Sequence, residues 1–352
     1  MNTDLFTYRI YTVRELRDWL IDNVQNGLTE YCIAPTRAYA FVNNPCAKDD
    51  DPALVVAFKE NQPIGYSAVF TDVYKNGNLK GTYYWGSTEW VDTDFRGKGI
   101  AGKMMRTLKE AVGIDNYIGL DSSIASIKLD QKQGAKILYY DRYNYFVQGS
   151  KSFKSLLRQM MVQRANKKAL QQLERYEFEN EYVNYIDAQT YSFITEHAQG
   201  DLLLREREML NWMLRYPFLI GTHNDPKAKK DICEFGSAMA EYDVEAVKVY
   251  VHGKLVGFYI VSQTNNERTL RYLYYDAECR EEVFASVTLT LFRDDAAKIH
   301  FMVEALHLYM KEHGIKHLNR KSFMDKISLT LPPIMTVDSK LHIQGGDGDM
   351  FC

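Results

Sequence analysis

The densest chemistry in the chain lies between Glu89 and Met105, in the run EWVDTDFRGKGIAGKMM. A strand pattern ending at Val91 enters a turn holding Gly97, Gly99 and Gly102, and a helical pattern follows. Glycine permits dihedrals that bring the backbone close to a ligand. The first amides of a helix lack partners within it and point past its N-terminus. With the helix dipole they form an anion site suited to a pyrophosphate. Lys98 and Lys103 add positive charge beside it. The nucleotide loop G-x-x-x-x-G-K-[ST] does not occur in this stretch.

Other residue types exclude other chemistries. His313 and His317 are interrupted by Gly314, and the five cysteines are odd in number, widely spaced and without C-x-x-C. Neither a metal site nor a disulfide framework is expected. Basic residues number 43 against 46 acidic, a net charge of −3. Nucleic acid is therefore not an expected partner, since binding it needs a basic face. No apolar run nears the ~20 residues that span a bilayer. The N-terminus has acids early and no signal-peptide pattern, so a cytoplasmic protein is expected. Tyrosine stands out, at 25 against 17 Phe.

The elements that must position the turn are partly legible. Thr12 and Glu15 form a capping box for a helix carrying Leu16, Trp19, Leu20 and Val24. Residues 53–58 and 64–70 read as a β-hairpin, 82–91 as an aromatic-rich strand and Ile100–Val112 as a helix. A short buried strand at Tyr117–Leu120, a helix over 124–133 and an aromatic strand over 138–147 follow. Residues 151–175 read as a basic amphipathic helix, with Glu174 against seven Lys and Arg. An offset of 192 aligns VVAFKENQPIGYSAVF (55–70) with VKVYVHGKLVGFYIVS (247–262). A helix is expected over 296–313, a short strand over 315–318 and a flexible tail over 338–352. At ~150 residues per domain, the length allows about two domains.

The pattern R-x-x-G-x-A, as Arg96, Gly99 and Ala101 after a strand ending in Val91, resembles the acetyl-coenzyme A loop of the GNAT N-acetyltransferase superfamily. A second run, SIASIKLDQKQGA, resembles that family's N-x-x-A-x-x-L-Y-x-x-x-G-F. Aligned on Gly134, Ser123 takes the Asn position, Ser126 the Ala position and Ala135 the Phe position. Asp130 stands where a tyrosine general acid commonly sits. The resemblance covers residues 1–148 well and 180–330 by pattern.

It implies an α/β (α+β) fold, two GNAT-like domains in tandem with a central mixed sheet flanked by helices. The expected division is a cofactor-binding domain (1–149), a basic linker helix (150–178), a degenerate GNAT-like domain (179–336) and a tail (337–352). Acetyl-CoA, or another short acyl-CoA, would be the co-substrate, with no metal. Amides from Gly97 through Lys98, Gly99, Ile100 and Ala101 to Gly102, with Arg96, would hold its pyrophosphate. Lys103, Val91, Ser123 and Ser126 complete the expected cofactor contacts. The pantetheine arm would lie between strands 88–91 and Tyr117–Leu120. An amine would attack the thioester directly, and a base helps because amines are mostly protonated at neutral pH. Glu89 is the first candidate base and Asp121 the alternate. Asp130, Tyr140 and Tyr143 are candidate proton donors to the leaving thiolate, with Tyr139 and Tyr145 nearby in sequence.

The implied function is acetyl transfer to a primary amine of a small acceptor, such as an amino sugar. The alternatives are a non-catalytic acyl-CoA-binding regulatory module and an acyltransferase acting on a macromolecule, a cell-wall precursor or protein lysine. In the second half, the turn after Tyr275 reads DAECREE, with no glycine and several carboxylates. That half is expected to have lost the cofactor and to shape the acceptor site or a homodimer interface.

Overall fold

A computed structural model of the chain describes residues 5–26, 33, 35–76, 79–120, 124–148, 153–216, 242–264, 266–293, 296–318, 323–332 and 342–348. The first half runs β1 (Phe6–Thr12), α1 (Val13–Asn26), α2 (Pro35–Val42), β2 (Pro52–Lys59), β3 (Gln62–Asn76), β4 (Leu79–Val91), α3 (Ile100–Val112), β5 (Tyr117–Leu120), α4 (Ile124–Lys132) and β6 (Lys136–Phe146). The long α5 (Phe153–Leu173) follows. The second half runs β7 (Glu179–Val183), α6 (Ala188–His197), α7 (Arg207–Arg215), β8 (Tyr242–Val251), β9 (Lys254–Thr264), β10 (Glu267–Tyr275), α8 (Arg280–Leu291), β11 (Lys298–Phe301), α9 (Glu304–Glu312) and β12 (Met324–Leu331).

All these strands join one mixed sheet, in the order β1–β2–β3–β4–β5–β12–β6–β11–β10–β9–β8–β7. Two neighbouring pairs are parallel, β4 with β5 and β10 with β11. The halves exchange strands where they meet. β12, from the second half, pairs with β5, and β6, from the first half, pairs with β11. The mixed α/β architecture therefore holds.

The sequence repeat has a structural counterpart. In both hairpins two residues turn the chain, between Lys59 and Gln62 and between Val251 and Lys254. The register breaks at the same place, between Ala57 and Phe58 and between Val249 and Tyr250. Alternation sends Leu54 and Val56 to one face and Val55 and Ala57 to the other. The face with Leu54 is covered by α1, α2, α6 and α7 in one apolar core that reaches Phe258 and Ile260. The opposite face packs on α3 in the first half and on α8, α9 and α5 in the second.

The capping box forms: Glu15 N donates to Thr12 Oγ1 and Thr12 N to Glu15 Oε2. α5 docks through Val162, Asn166, Ala169 and Leu173. Three expectations fail. The helix over 296–313 is instead β11 followed by α9, because Lys298–Phe301 completes the sheet between β6 and β10. Residues 315–318 form no strand. The described part of the tail, 342–348, is not loose: Ile343, Gln344 and Asp347 are buried.

Candidate functional site

The glycine turn forms as its sequence demands. Asp92 accepts from Asp94 N and caps a 3-10 turn over Thr93–Phe95. Asp92 N donates to Ile64 O at 2.9 Å, which fastens the turn to β3. Gly97 and Gly99 take φ of +77° and +82°, a region that side chains disfavour. A Cβ at either would meet nothing within 4 Å, so the space above the turn is open. Gly99 is the N-cap of α3 and supplies no side-chain cap, which leaves the amides of Ile100, Ala101 and Gly102 facing that space. Ile100, Met104, Leu108 and Val112 anchor α3 on the sheet.

The basic residues divide between two tasks. Arg96 Nε donates to Val91 O at 2.9 Å and Lys98 Nζ to Asp94 O at 2.9 Å, so both brace the turn itself. Lys103 is exposed on the first turn of α3. Arg106, not singled out from sequence, lies beside Gly102, 3.8 Å from a Cβ built there. Its spacing of four from Gly102 was the available signal.

Beyond the turn, β4 and β5 part. Their pairing ends at Gly86 and Gly119, and β4 continues to Val91. A bulge falls in the same place: Ser67 faces Glu89 and Val69 faces Gly86, so β4 carries one extra residue. Such a bulge bends its strand and re-aims side chains. Arg37 of α2 holds the bulge by donating to Ser87 Oγ at 2.5 Å. At the apex, a Cβ on Gly86 would stand 2.1 Å from the Tyr117 hydroxyl oxygen, so only glycine fits opposite that phenol.

A polar cluster lies on the α3 side of the apex. Lys109 Nζ pairs with Asp130 Oδ1 at 2.5 Å and sits 4.8 Å from the centre of the Tyr117 ring. Thr330 Oγ1 donates to the other Asp130 oxygen at 3.4 Å. Glu89 keeps exposed surface, yet the protein around it raises its pKa to about 7. Loss of water is the largest cause, Asp130 adds to it, and Lys109 opposes it. Burial, Asp130 and Glu89 together push the Tyr117 phenol well above its ordinary value.

The candidate tyrosines separate. Tyr143 stacks on His307 at 4.6 Å and on Phe301 at 5.5 Å, within the core of the second half. Tyr145 donates to or accepts from His307 Nδ1 at 2.9 Å in the same core. Tyr139 is exposed. Tyr140 packs on the opposite face, where burial and then Asp347 raise its pKa. Ser126 lies in α4, half-buried. Asp121 and Ser123 lie outside the described residues. Lys109, Tyr117 and Arg37 went unread in the sequence because only tertiary packing brings them to the apex.

Among the described residues no group of His, Cys, Asp and Glu could hold a metal ion, and no helix is long and apolar enough to cross a membrane. Residues 13–135 match the model of the acetyltransferase (GNAT) family. No match to a curated protein was found. Among solved structures, a GCN5-related N-acetyltransferase from Kribbella flavida is 12% identical, with 93% of this chain and 72% of that one covered and a TM-score of 0.51. A putative acetyltransferase from Pyrococcus horikoshii is 14% identical, with 99% and 94% covered and a TM-score of 0.50. Saccharomyces cerevisiae N-myristoyltransferase with bound myristoyl-CoA is 8% identical, with 94% and 79% covered and a TM-score of 0.52. These identities speak to the fold alone. The family match over 13–135 covers α1, the glycine turn, α3 and the β4–β5 apex, so this part of the chain is a GNAT acyltransferase domain, of a family that uses acyl-CoA.

Proposed function

We propose that the protein transfers a short acyl group, acetyl from acetyl-CoA, to the primary amine of a small acceptor such as an amino sugar. The observation that carries this reading is the open glycine turn at the head of α3, set beside a β4–β5 apex that holds Glu89 near neutral pKa.

The residues present fit the co-substrate. The uncapped amides of Ile100 to Gly102 suit a pyrophosphate, with Lys103 and Arg106 as nearby positive charge. Arg96 serves by fixing the turn. The unpaired side of β4 past Gly86 offers backbone groups to an extended pantetheine arm. The bound thioester supplies the acyl carbon and a thiolate leaving group.

Glu89 takes the proton that the amine sheds as its nitrogen bonds to that carbon. A base titrating near the working pH is half-ready in both directions, which general-base catalysis favours. Asp130 belongs to the ion pair with Lys109 and anchors it, so the acid role moves elsewhere. Tyr140 is the candidate retained from the aromatic strand, because Tyr143 is stacked into another core.

We also infer that residues 179–336 are a second, cofactor-free copy of the fold. The matching turns, bulges and buried faces of β2–β3 and β8–β9 support this.

A macromolecular acceptor is the second reading, and α5 favours it. Leu156, Leu157, Met160 and Met161 are 45%, 48%, 54% and 72% exposed, and Arg164, Lys167 and Lys168 continue along the same side. Basic and apolar groups on one helical face suit an anionic surface.

The test is a panel of amino sugars, amino acids and lysine peptides, with acetyl-CoA present and free thiol followed over time. Turnover with a small amine supports the first reading. Turnover restricted to peptides supports the second, and none with any amine contradicts both.

A further inference from the structure

The segment 342–348 was expected to be loose, and the structure builds it in. His342 N donates to Gly200 O at 3.0 Å and Leu202 N returns a bond to His342 O at 2.7 Å. Gln344 Nε2 donates to Asp201 Oδ1 at 3.1 Å. The chain then lies flat on β10. A Cβ on Gly345 would stand 2.5 Å from Leu270 O, and one on Gly346 would stand 2.2 Å from the Tyr272 ring. No side chain fits at either position. Gly348, with φ +63°, reaches the first half, where a Cβ would touch Trp85 and Leu120 at 3.1 Å.

One guanidinium holds this strap. Arg205 Nη1 donates to Gly346 O at 2.8 Å and Nη2 to Gly348 O at 3.1 Å. Its Nε donates to Asp72 Oδ2 at 2.7 Å, and Nη1 also reaches the Tyr272 hydroxyl at 2.8 Å. Asp72 in turn accepts from Trp85 Nε1 at 2.9 Å. Arg205 and Asp72 are 2% and 0% exposed. A charge pair this deep is costly unless its hydrogen bonds are all placed. Two strap carbonyls, a β3 carboxylate and a β10 phenol place them.

The position of the strap gives it meaning. Trp85 is the residue before the last β4–β5 pair, and Leu120 is the residue after it. Gly348 therefore covers the apex on the face opposite α3. Lys109, Asp130 and Tyr117 close the other face. Tyr140 shares the strap's side and feels the charge of Asp347.

We propose that the strap forms the wall that closes the acyl-transfer site opposite α3, and that Arg205 is the positioning residue that sets it. The inference rests on the acyl-transfer reading and deepens it. The acceptor amine meets the thioester at the apex that holds Glu89, and its fit there is decided by a segment distant in sequence. Arg205 touches no substrate; it acts through the two carbonyls it holds.

The test uses Arg205→Lys in the full chain. Lysine keeps positive charge beside Asp72 and loses the fork that reaches both carbonyls. Gly348→Ala is the second variant, which leaves Arg205 intact and pushes the strap off Trp85. Two nucleophiles are compared with acetyl-CoA: hydroxylamine, too small to need a shaped wall, and the amine turned over fastest in the panel. The ratio of kcat/KM for that amine over hydroxylamine should fall at least about tenfold in both variants, mainly through KM. Acetyl-CoA affinity should stay within about twofold. Loss shared equally by both nucleophiles, or a ratio unchanged from wild type, overturns the proposal and leaves the strap a structural brace. A wild type that neither binds nor consumes acetyl-CoA overturns the acyl-transfer reading itself, and the strap's assignment with it.

Discussion

Two strand-to-helix turns in this molecule start alike and end differently. In both, an aspartate after the strand caps a 3-10 turn: Asp92 accepts from Asp94 N, and Asp276 from Glu278 N. In both, the aspartate amide ties back to the head of the neighbouring strand, to Ile64 O and to Val256 O, each at 2.9 Å. The first turn then inserts Arg96 to Gly99 before α3 begins. The second passes straight into α8 at Arg280, with Glu281 and Glu282 in the first turn. Four residues separate an open, positive helix head from a closed, acidic one. The frame is common to both turns, and the proposed anion site depends on the insertion.

The helices behind the turns differ too. α3 buries a lysine, Lys109, against Asp130, whereas α8 buries hydroxyls, with Ser286 bonded to Asn180 Oδ1 at 2.8 Å. The largest expected effect comes from breaking that contrast. Lys109→Met removes the cation that pairs with the buried Asp130 carboxyl, and should cost about 3–5 kcal/mol in denaturant unfolding. Ser286→Ala should cost only about 1 kcal/mol. Equal costs would remove the distinction between a polar site and a quiet core.

Next in size is Glu89→Gln. Its kcat should fall about a hundredfold, with acetyl-CoA affinity kept. Glu89 must be ionised to act, so the wild-type rate should rise with pH through about 7 and then level. The variant should lack that limb. A wild-type profile flat across this range would remove Glu89 as the base.

The shared frame predicts a matched pair of smaller effects. A Cβ on Gly65 would meet Trp90 O at 3.0 Å, and one on Gly257 would meet Val283 at 2.7 Å. Both glycines let a strand or helix approach closely. Gly65→Ala and Gly257→Ala should each lower stability by about 1–3 kcal/mol. A tolerated change at one site alone would break the correspondence between the halves.

The smallest effect concerns the strap. Burial raises the Asp347 pKa from 3.8 to about 7, against the pull of Arg205. The folded chain therefore holds a proton that the unfolded chain releases. That contribution is full below pH 3.8 and is lost as pH rises through about 7. Asp347→Asn lacks the dependence. Its melting temperature relative to wild type should improve between about pH 5 and about pH 8. An unchanged difference would place Asp347 outside the buried network.

What the sequence disclosed follows from distance along the chain. The glycine turn, the capping box at Thr12 and Glu15, and the hairpin repeat are local patterns, and all took the expected form. The exchange of β6 and β12 between the halves pairs residues far apart, which no local period records. Helical spacing of Phe301, Ala305 and Leu308 masked β11, whose strand form comes from its two neighbours in the sheet. Gly345, Gly346 and Gly348 read as a flexible end, because glycine serves freedom and close approach equally well. Arg205, 141 residues from Gly346, decides between those uses.

Titration calorimetry with acetyl-CoA tests the contrast between the two turns most directly. The wild type should bind one equivalent per chain. Gly99→Trp should weaken binding at least about a hundredfold, and Glu278→Trp, at the exposed matching turn, should leave it within about twofold. Binding that survives Gly99→Trp, or that is lost in Glu278→Trp, would contradict the assignment of the anion site to the first turn.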